Sequence, residues 1–218
     1  MVIALNGLVS SSESAFISFC VATYFIEKPN VQGGCKMSVL MVGGIHGVGK
    51  TFVIRRAVDI VDPSLPILKG SEILAQLLDI STEEIPYVDS SRRASARVQM
   101  FLRLQNARVG VRDAHYSVHS SSGYEAVFDL RAAKHVAAIV LLVAPENIVL
   151  ERRRNTGKDR PLDIAQIREH AEIEEEAAKN YSQRLGVPFY IVRNTQDDDA
   201  IGELVHLIER YCVKSREA

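Results

Sequence analysis

The sequence predicts a three-layer α/β fold, with a parallel sheet of five strands and helices on both faces. Three observations point to it. From residue 38 onward, short apolar segments alternate with longer amphipathic ones, the pattern of strands joined by crossover helices. Residues 136–143 (Val-Ala-Ala-Ile-Val-Leu-Leu-Val) are apolar throughout, as a strand buried on both faces must be. A glycine-rich turn at residues 43–49 separates the first apolar segment from the first amphipathic one.

Each element follows from its local pattern. Residues 38–42 form a short apolar run stopped by glycines, a buried strand. A helix starts at Lys50, inside the glycine-rich turn, and runs to about residue 61. Residues 66–68 make a brief second strand, and a helix covers 71–78 with Ser71 as its N-cap. A longer helix spans 90–106, with apolar positions at Val98, Phe101, Leu102 and Leu104. Residues 109–112 are the third strand, 124–134 are helical, and 136–143 are the central fourth strand. A helix at 146–154 leads into a polar, basic connector at 155–161. The long helix from Asp163 to about Leu185 ends at Gly186. Residues 187–192 are the fifth strand and 197–211 the last helix. No internal repeat or low-complexity tract interrupts this order.

Composition bounds the function. Of 218 residues, 47% are hydrophobic and 24% charged, enough for a core that needs no staples. With 26 basic and 27 acidic side chains the net charge is −1, which argues against a dedicated nucleic-acid binder. A local cluster of Arg and Lys still suffices for a small anionic ligand. Cys20, Cys35 and Cys212 are scattered, which fits a reducing compartment and neither a disulfide framework nor a zinc site. The apolar run at residues 15–26 is too short to span a bilayer, and no basic residue precedes it as in a signal peptide. We read the protein as cytoplasmic.

The first 36 residues differ from the rest. They are Ser-rich, then apolar, and end in Asn30-Val31-Gln32-Gly33-Gly34-Cys35-Lys36, directly before Met37. Either Met37 is the natural start, or residues 1–36 are a loosely attached extension of the domain at 37–218. The alternative is an added strand or helix packed on that domain.

The glycine-rich turn carries chemistry. Gly44-Ile45-His46-Gly47-Val48-Gly49-Lys50-Thr51 meets the pattern G-x-x-x-x-G-K-[ST] in full, with a strand before and a helix after. Such a P-loop cradles the phosphates of a purine nucleoside triphosphate. Its glycines let backbone N–H groups turn inward, and the helix start adds positive charge beside the anion. Gly44, His46, Gly47, Val48, Gly49, Lys50, Thr51 and Phe52 are therefore the nucleotide-binding candidates. Lys50 reaches the β- and γ-phosphates, and the Thr51 hydroxyl coordinates Mg²⁺. His46 sits at a variable position of the motif and faces out.

Asp113 ends the third strand. Ligands of such sheets bind at the carboxyl ends of strands, so Asp113 can hold the Mg²⁺ hydration shell or orient an acceptor; a capping aspartate is the bland alternative. His115 follows two residues later and is either ligand-facing or an ordinary polar residue. The run Arg152-Arg153-Arg154-Asn155-Thr156-Gly157-Lys158-Asp159-Arg160 ends one helix and enters the connector. Arginine suits phosphate because its fork donates paired hydrogen bonds and stays charged. Successive helical side chains point about 100° apart, so three consecutive arginines cannot all face one site. Arg152, Lys158 and Arg160 are the candidates, against a merely solvated charged face.

With these residues in place, the stretch from Met37 to about Tyr211 resembles the archaeal-type adenylate kinases, a branch of the P-loop nucleoside monophosphate kinases. The loop at 42–51 is similar to that family's Gly-Val-Pro-Gly-Val-Gly loop, and Val111-Arg112-Asp113-Ala114-His115 to its strand ending in Asp-Thr-His. Ser122-Gly123-Tyr124 falls at its Gly-Tyr pair, and residues 148–162 at its helix and short arginine lid. Glu169-His170, Ala177-Ala178, Leu185-Gly186-Val187 and Ile191-Val192-Arg193-Asn194 follow in order and spacing. The resemblance implies a P-loop NTPase fold with sheet order 2-3-1-4-5 and Mg·ATP as phosphoryl donor. It also implies an acceptor-binding segment at about 66–100 and a lid at about 154–162. The acceptor side departs from the family: Ser81-Thr82-Glu83-Glu84-Ile85-Pro86-Tyr87-Val88 has no Arg, and Arg92 and Arg93 come a few residues later.

Lys50, Asp113, Arg152, Lys158 and Arg160 are thus the catalytic candidates and Thr51 with Asp113 the metal-holding ones. The partner expected is a small phosphoryl acceptor, foremost a nucleoside monophosphate, with no membrane partner. A regulatory module that binds and slowly hydrolyses ATP, with a protein partner, is the alternative; a nucleic-acid role draws no support from the charge.

Overall fold

The computed structural model describes residues 38–120, 123–126, 130–156, 160–195 and 199–213. The expectations for residues 1–36, for Cys20 and Cys35 and for Lys158 lie outside them.

Five parallel strands form the main sheet. They are β1 (Val39–Gly43), β2 (Ile67–Lys69), β3 (Gly110–Asp113), β6 (Val136–Val143) and β7 (Phe189–Arg193). Their order is β2-β3-β1-β6-β7, the expected 2-3-1-4-5 when the sheet's own strands are counted. Helices α1 (Lys50–Val61), α2 (Gly70–Leu78), α3 (Ser90–Asn106), α4 (Glu146–Asn155) and α5 (Ile164–Leu185) lie in the connections between strands, and α6 (Asp199–Cys212) follows the last strand.

The strand pattern explains the layers. Along β1, Leu40 and Val42 join one core with Ile54 and Ala57 of α1 and Leu204 and Ile208 of α6. Their neighbours Val39 and Met41 join a second core with Ala177, Ala178 and Tyr181 of α5. The same alternation divides β6, with Val140 and Leu142 on one side and Ile139 and Leu141 on the other. Successive strand side chains point to opposite faces, so a strand covered on both must be apolar throughout. β1 is buried at all five positions.

The structure corrects the sequence at several points. The helix expected over 124–134 is absent from the described residues of that stretch. Strands β4 (Ser117–Ser120) and β5 (Gly123–Ala126) pair antiparallel as a separate hairpin, and a 3₁₀ turn covers Leu130–Ala133. The period-2 run 117–126, interrupted by serines and a glycine, is a hairpin signal that outweighs helical propensity. Ser71 is not the N-cap of α2. That place falls to Lys69, without a side-chain cap, because β2 runs directly into the helix. On α3, Val98 and Leu102 are exposed and Ala96 and Leu104 are the buried positions. Asp163 and Gly186 do bound α5: the Asp163 carboxylate accepts the Gln166 N–H at 2.9 Å, and Gly186 is left-handed with φ 65°.

Candidate functional site

β1 delivers the chain into the loop at its carboxyl end. Gly44 has φ 144°, and a Cβ there would strike the Leu142 carbonyl. Gly49 has φ 93°, and a Cβ there would lie 2.5 Å from Nδ2 of Asn194. Only glycine takes such backbone angles without strain. Gly49 is also the N-cap of α1, which carries no side-chain cap bond. The amides and positive end of the helix thus face the loop. Close packing at both glycines fixes the course of the loop, and the amides at the helix start are a donor set that suits a phosphate chain.

Lys50 opens α1 with 6% of its surface exposed, and its Nζ donates to the Gly44 carbonyl. Burial lowers its pKa to about 8, against the opposing pull of the Asp113 and Glu174 carboxylates, with Arg160 adding to the fall. Asp113 ends β3 in register with Val42 of β1. The Thr51 hydroxyl donates to Oδ2 of Asp113 at 3.2 Å. Two hard oxygens, one from the first turn of α1 and one from the end of β3, therefore converge beside the loop. Mg²⁺ takes one or two protein oxygens and otherwise phosphate and water, so this pair fits it.

The rings of His46 and His115 lie 4.2 Å apart, tilted by 53°. Loss of contact with solvent, which disfavours the charged ring, is the first cause lowering both pKa values. The charges of Arg160 and Lys50 then bring His46 down to about 3, and Lys50 leads the charges acting on His115. His46 keeps an exposed edge, so what carries forward is its neutrality at pH 7. His115 is half-buried beside it, on the rim of the site.

The arginines of α4 brace the loop from outside. Arg152 Nη1 donates to the Val48 carbonyl at 2.9 Å and to that of Gly47 at 3.4 Å. Arg153, only 2% exposed, donates from Nε to the His46 carbonyl and from Nη1 to that of Pro161, both at 2.9 Å. Arg154 is exposed. Arg160 is half-buried, and its charge acts on His46, Lys50 and Arg153. Sequence reasoning singled out Arg152 and Arg160 and missed Arg153. It also missed Asn194, whose Nδ2 donates to the Val48 carbonyl at 2.6 Å. Phe52 is 62% exposed.

The largest omission is Glu174 of α5, which is 1% exposed and accepts the Gly44 N–H at 3.0 Å. Four glutamates crowd residues 172–176 and read as a solvated face. A signal was present nonetheless. Glu174 stands on the helical stripe of Ile167, His170, Ala177, Ala178 and Tyr181, which is buried.

In the segment expected to bind the acceptor, Leu74, Leu78 and Ala96 form a small core of their own between α2 and α3. Arg92 donates from Nη2 to the Leu78 carbonyl at 2.8 Å, and Arg93 from Nη1 to that of Ile85 at 3.4 Å. Both guanidinium groups tie down the segment they belong to.

A parallel sheet in this order, a strand–loop–helix with a buried lysine, and a Thr–Asp oxygen pair between the helix start and a strand end define a P-loop fold of the kinase type. The chain resembles archaeal adenylate kinases. It is 22% identical over 187 residues to the adenylate kinase of Thermococcus onnurineus, covering 78% of this chain and 95% of that one. The adenylate kinase of Thermococcus sibiricus matches to the same extent. Among solved structures, shikimate kinase from Acinetobacter baumannii in complex with shikimate shares the fold. Its TM-score is 0.54 at 12% identity, over 79% of this chain and 92% of that chain. The YorR protein of Bacillus subtilis in complex with phosphorylated GDP also has a TM-score of 0.54, at 17% identity, over 79% and 96% of the two chains. No family model matches the chain. No described helix is long and apolar enough to cross a membrane.

Proposed function

We propose that this chain is a kinase that transfers the γ-phosphate of Mg·ATP to a small acceptor, with a nucleoside monophosphate as the leading candidate. The observation that carries this is the convergence of buried Lys50 and Thr51, at the start of α1, with Asp113 at the carboxyl end of β3.

In this reading Lys50 and the loop amides hold the triphosphate, and Thr51 and Asp113 hold Mg²⁺, directly or through water. The ion would neutralise charge developing on the transferred phosphoryl group. Arg160 and Lys158 supply further positive charge from the connector, and Arg152 and Arg153 keep the loop in shape through its carbonyls. Little covalent chemistry falls to the protein; positioning and charge do the work. The resemblance to archaeal adenylate kinases supports a nucleoside monophosphate as acceptor.

A second reading has one observation in its favour. Arg92 and Arg93 each commit a donor to a carbonyl of their own segment, which leaves fewer donors for an acceptor phosphate. A regulatory module that binds ATP and hydrolyses it slowly would tolerate this. ADP release and new phosphorylated products, measured with Mg·ATP and a panel of nucleoside monophosphates and small hydroxyl acceptors, separate the two. Fast acceptor-dependent turnover is expected. Slow hydrolysis indifferent to every acceptor would favour the regulatory module.

A further inference from the structure

The oxygens of Glu174 collect donors from two separate elements. Oε1 accepts the backbone N–H groups of Gly44 and Tyr116, each at 3.0 Å. Oε2 accepts the Ser117 N–H at 2.6 Å and the Ser117 hydroxyl. Having donated to the carboxylate, that hydroxyl accepts from Nε2 of His170, 3.1 Å away, which assigns the imidazole proton to Nε2. The His170 ring stacks on Tyr124 at 4.0 Å and 16°. A carboxylate buried this deeply is tolerated only when its lone pairs are met by donors, and three N–H groups and a hydroxyl meet these.

The donors come from two segments, each of which follows one of the paired strands β1 and β3. Gly44 opens the phosphate loop, whereas Tyr116 and Ser117 directly follow Asp113 and His115. Tyr116 is anchored in turn, because its hydroxyl donates to the carbonyls of Met41 in β1 and Val140 in β6, each at 3.0 Å. The Gly44 carbonyl is also the acceptor for Lys50. One side chain of α5 therefore ties the first residue of the loop to the segment after Asp113.

We infer that Glu174 is a positioning residue: it fixes the first glycine of the loop against the segment after Asp113, and so sets the spacing between the loop amides and the Thr51–Asp113 pair. This rests on reading the loop as a nucleotide site. An amide cannot take over the role. Gln offers one oxygen where backbone N–H groups approach from both sides, so in either orientation its own –NH₂ faces a backbone N–H.

Mg·ATP affinity, measured by calorimetric titration of the full chain well below melting and expressed per folded molecule, tests this. Glu174→Gln is expected to weaken binding about tenfold or more. Glu174→Asp keeps both oxygens and should lose less. Ser117→Ala leaves the Gly44 and Tyr116 contacts in place and should stay within about twofold of wild type. If Glu174→Gln lowers the melting temperature but binds Mg·ATP as wild type does, Glu174 only supports the fold and the inference fails. It fails equally if Ser117→Ala loses as much affinity as Glu174→Gln, since the effect then does not run through Gly44. Should Glu174→Gln not fold, Glu174→Asp decides: a loss of affinity supports the role and wild-type affinity contradicts it. The readout is binding rather than transfer. Mg·ATP binding without transfer would therefore count against the kinase alone, while a wild-type chain that does not bind Mg·ATP would overturn both.

Discussion

At the scale of single residues, Lys50 shows how burial and charge compete. Its pKa falls from 10.5 to about 8 because burial outweighs the Asp113 and Glu174 carboxylates. Two consequences have opposite signs. The folded chain holds this proton less tightly than the unfolded one, so the contribution of Lys50 to stability rises between pH 8 and 10.5. Triphosphate binding needs the charged lysine, so Mg·ATP affinity is expected to be flat below pH 7 and to fall as pH climbs through about 8. Titrations from pH 6.5 to 9.5 check this, and constant affinity across that window would contradict it. Lys50, Thr51 and Asp113 were legible in the sequence because a spacing motif and a strand end specify them with little help from the rest of the chain. Glu174 was not, because its burial is decided by which face of a 22-residue helix meets the sheet.

At the scale of elements, α4 illustrates what helical geometry allows. Arg152 and Arg153 are neighbours, yet both reach loop carbonyls, one at Val48 and one at His46. The loop curls around the end of the helix, so two directions about 100° apart both meet it. Sequence reasoning treated the site as a single direction and kept only one of the two. Arg153 also joins the loop to Pro161 just before α5. Replacing it with Ala leaves the carbonyls of His46 and Pro161 without this donor, at an expected cost of about 1–3 kcal/mol. A urea denaturation curve reads this directly, and an unchanged midpoint would show that Arg153 is not part of the brace. The β4–β5 hairpin was hidden for a different reason. Its strands lie outside the main sheet, where the alternation of strand and crossover helix does not reach.

At the scale of the whole molecule, the fold was legible because one pattern repeats. Short, mostly apolar strands are tied to helices with one apolar stripe, and the glycine-rich loop sits where the first strand meets the first helix. Sheet order followed from family resemblance, and the structure agrees with it. What stayed hidden is long-range. Glu174 and Gly44 are separated by 130 positions, and Asn194 and Val48 by 146, distances over which no local spacing carries information. These contacts draw α5 and the residue after β7 onto the loop that we propose holds a phosphate chain. The most direct test of that claim is a calorimetric titration of Mg·ATP into the wild-type chain and into Lys50→Ala. One site per chain in the wild type, with a loss of about tenfold or more in the variant, is the expected result. No binding, or equal affinity in both proteins, would contradict the assignment of this loop as the nucleotide site.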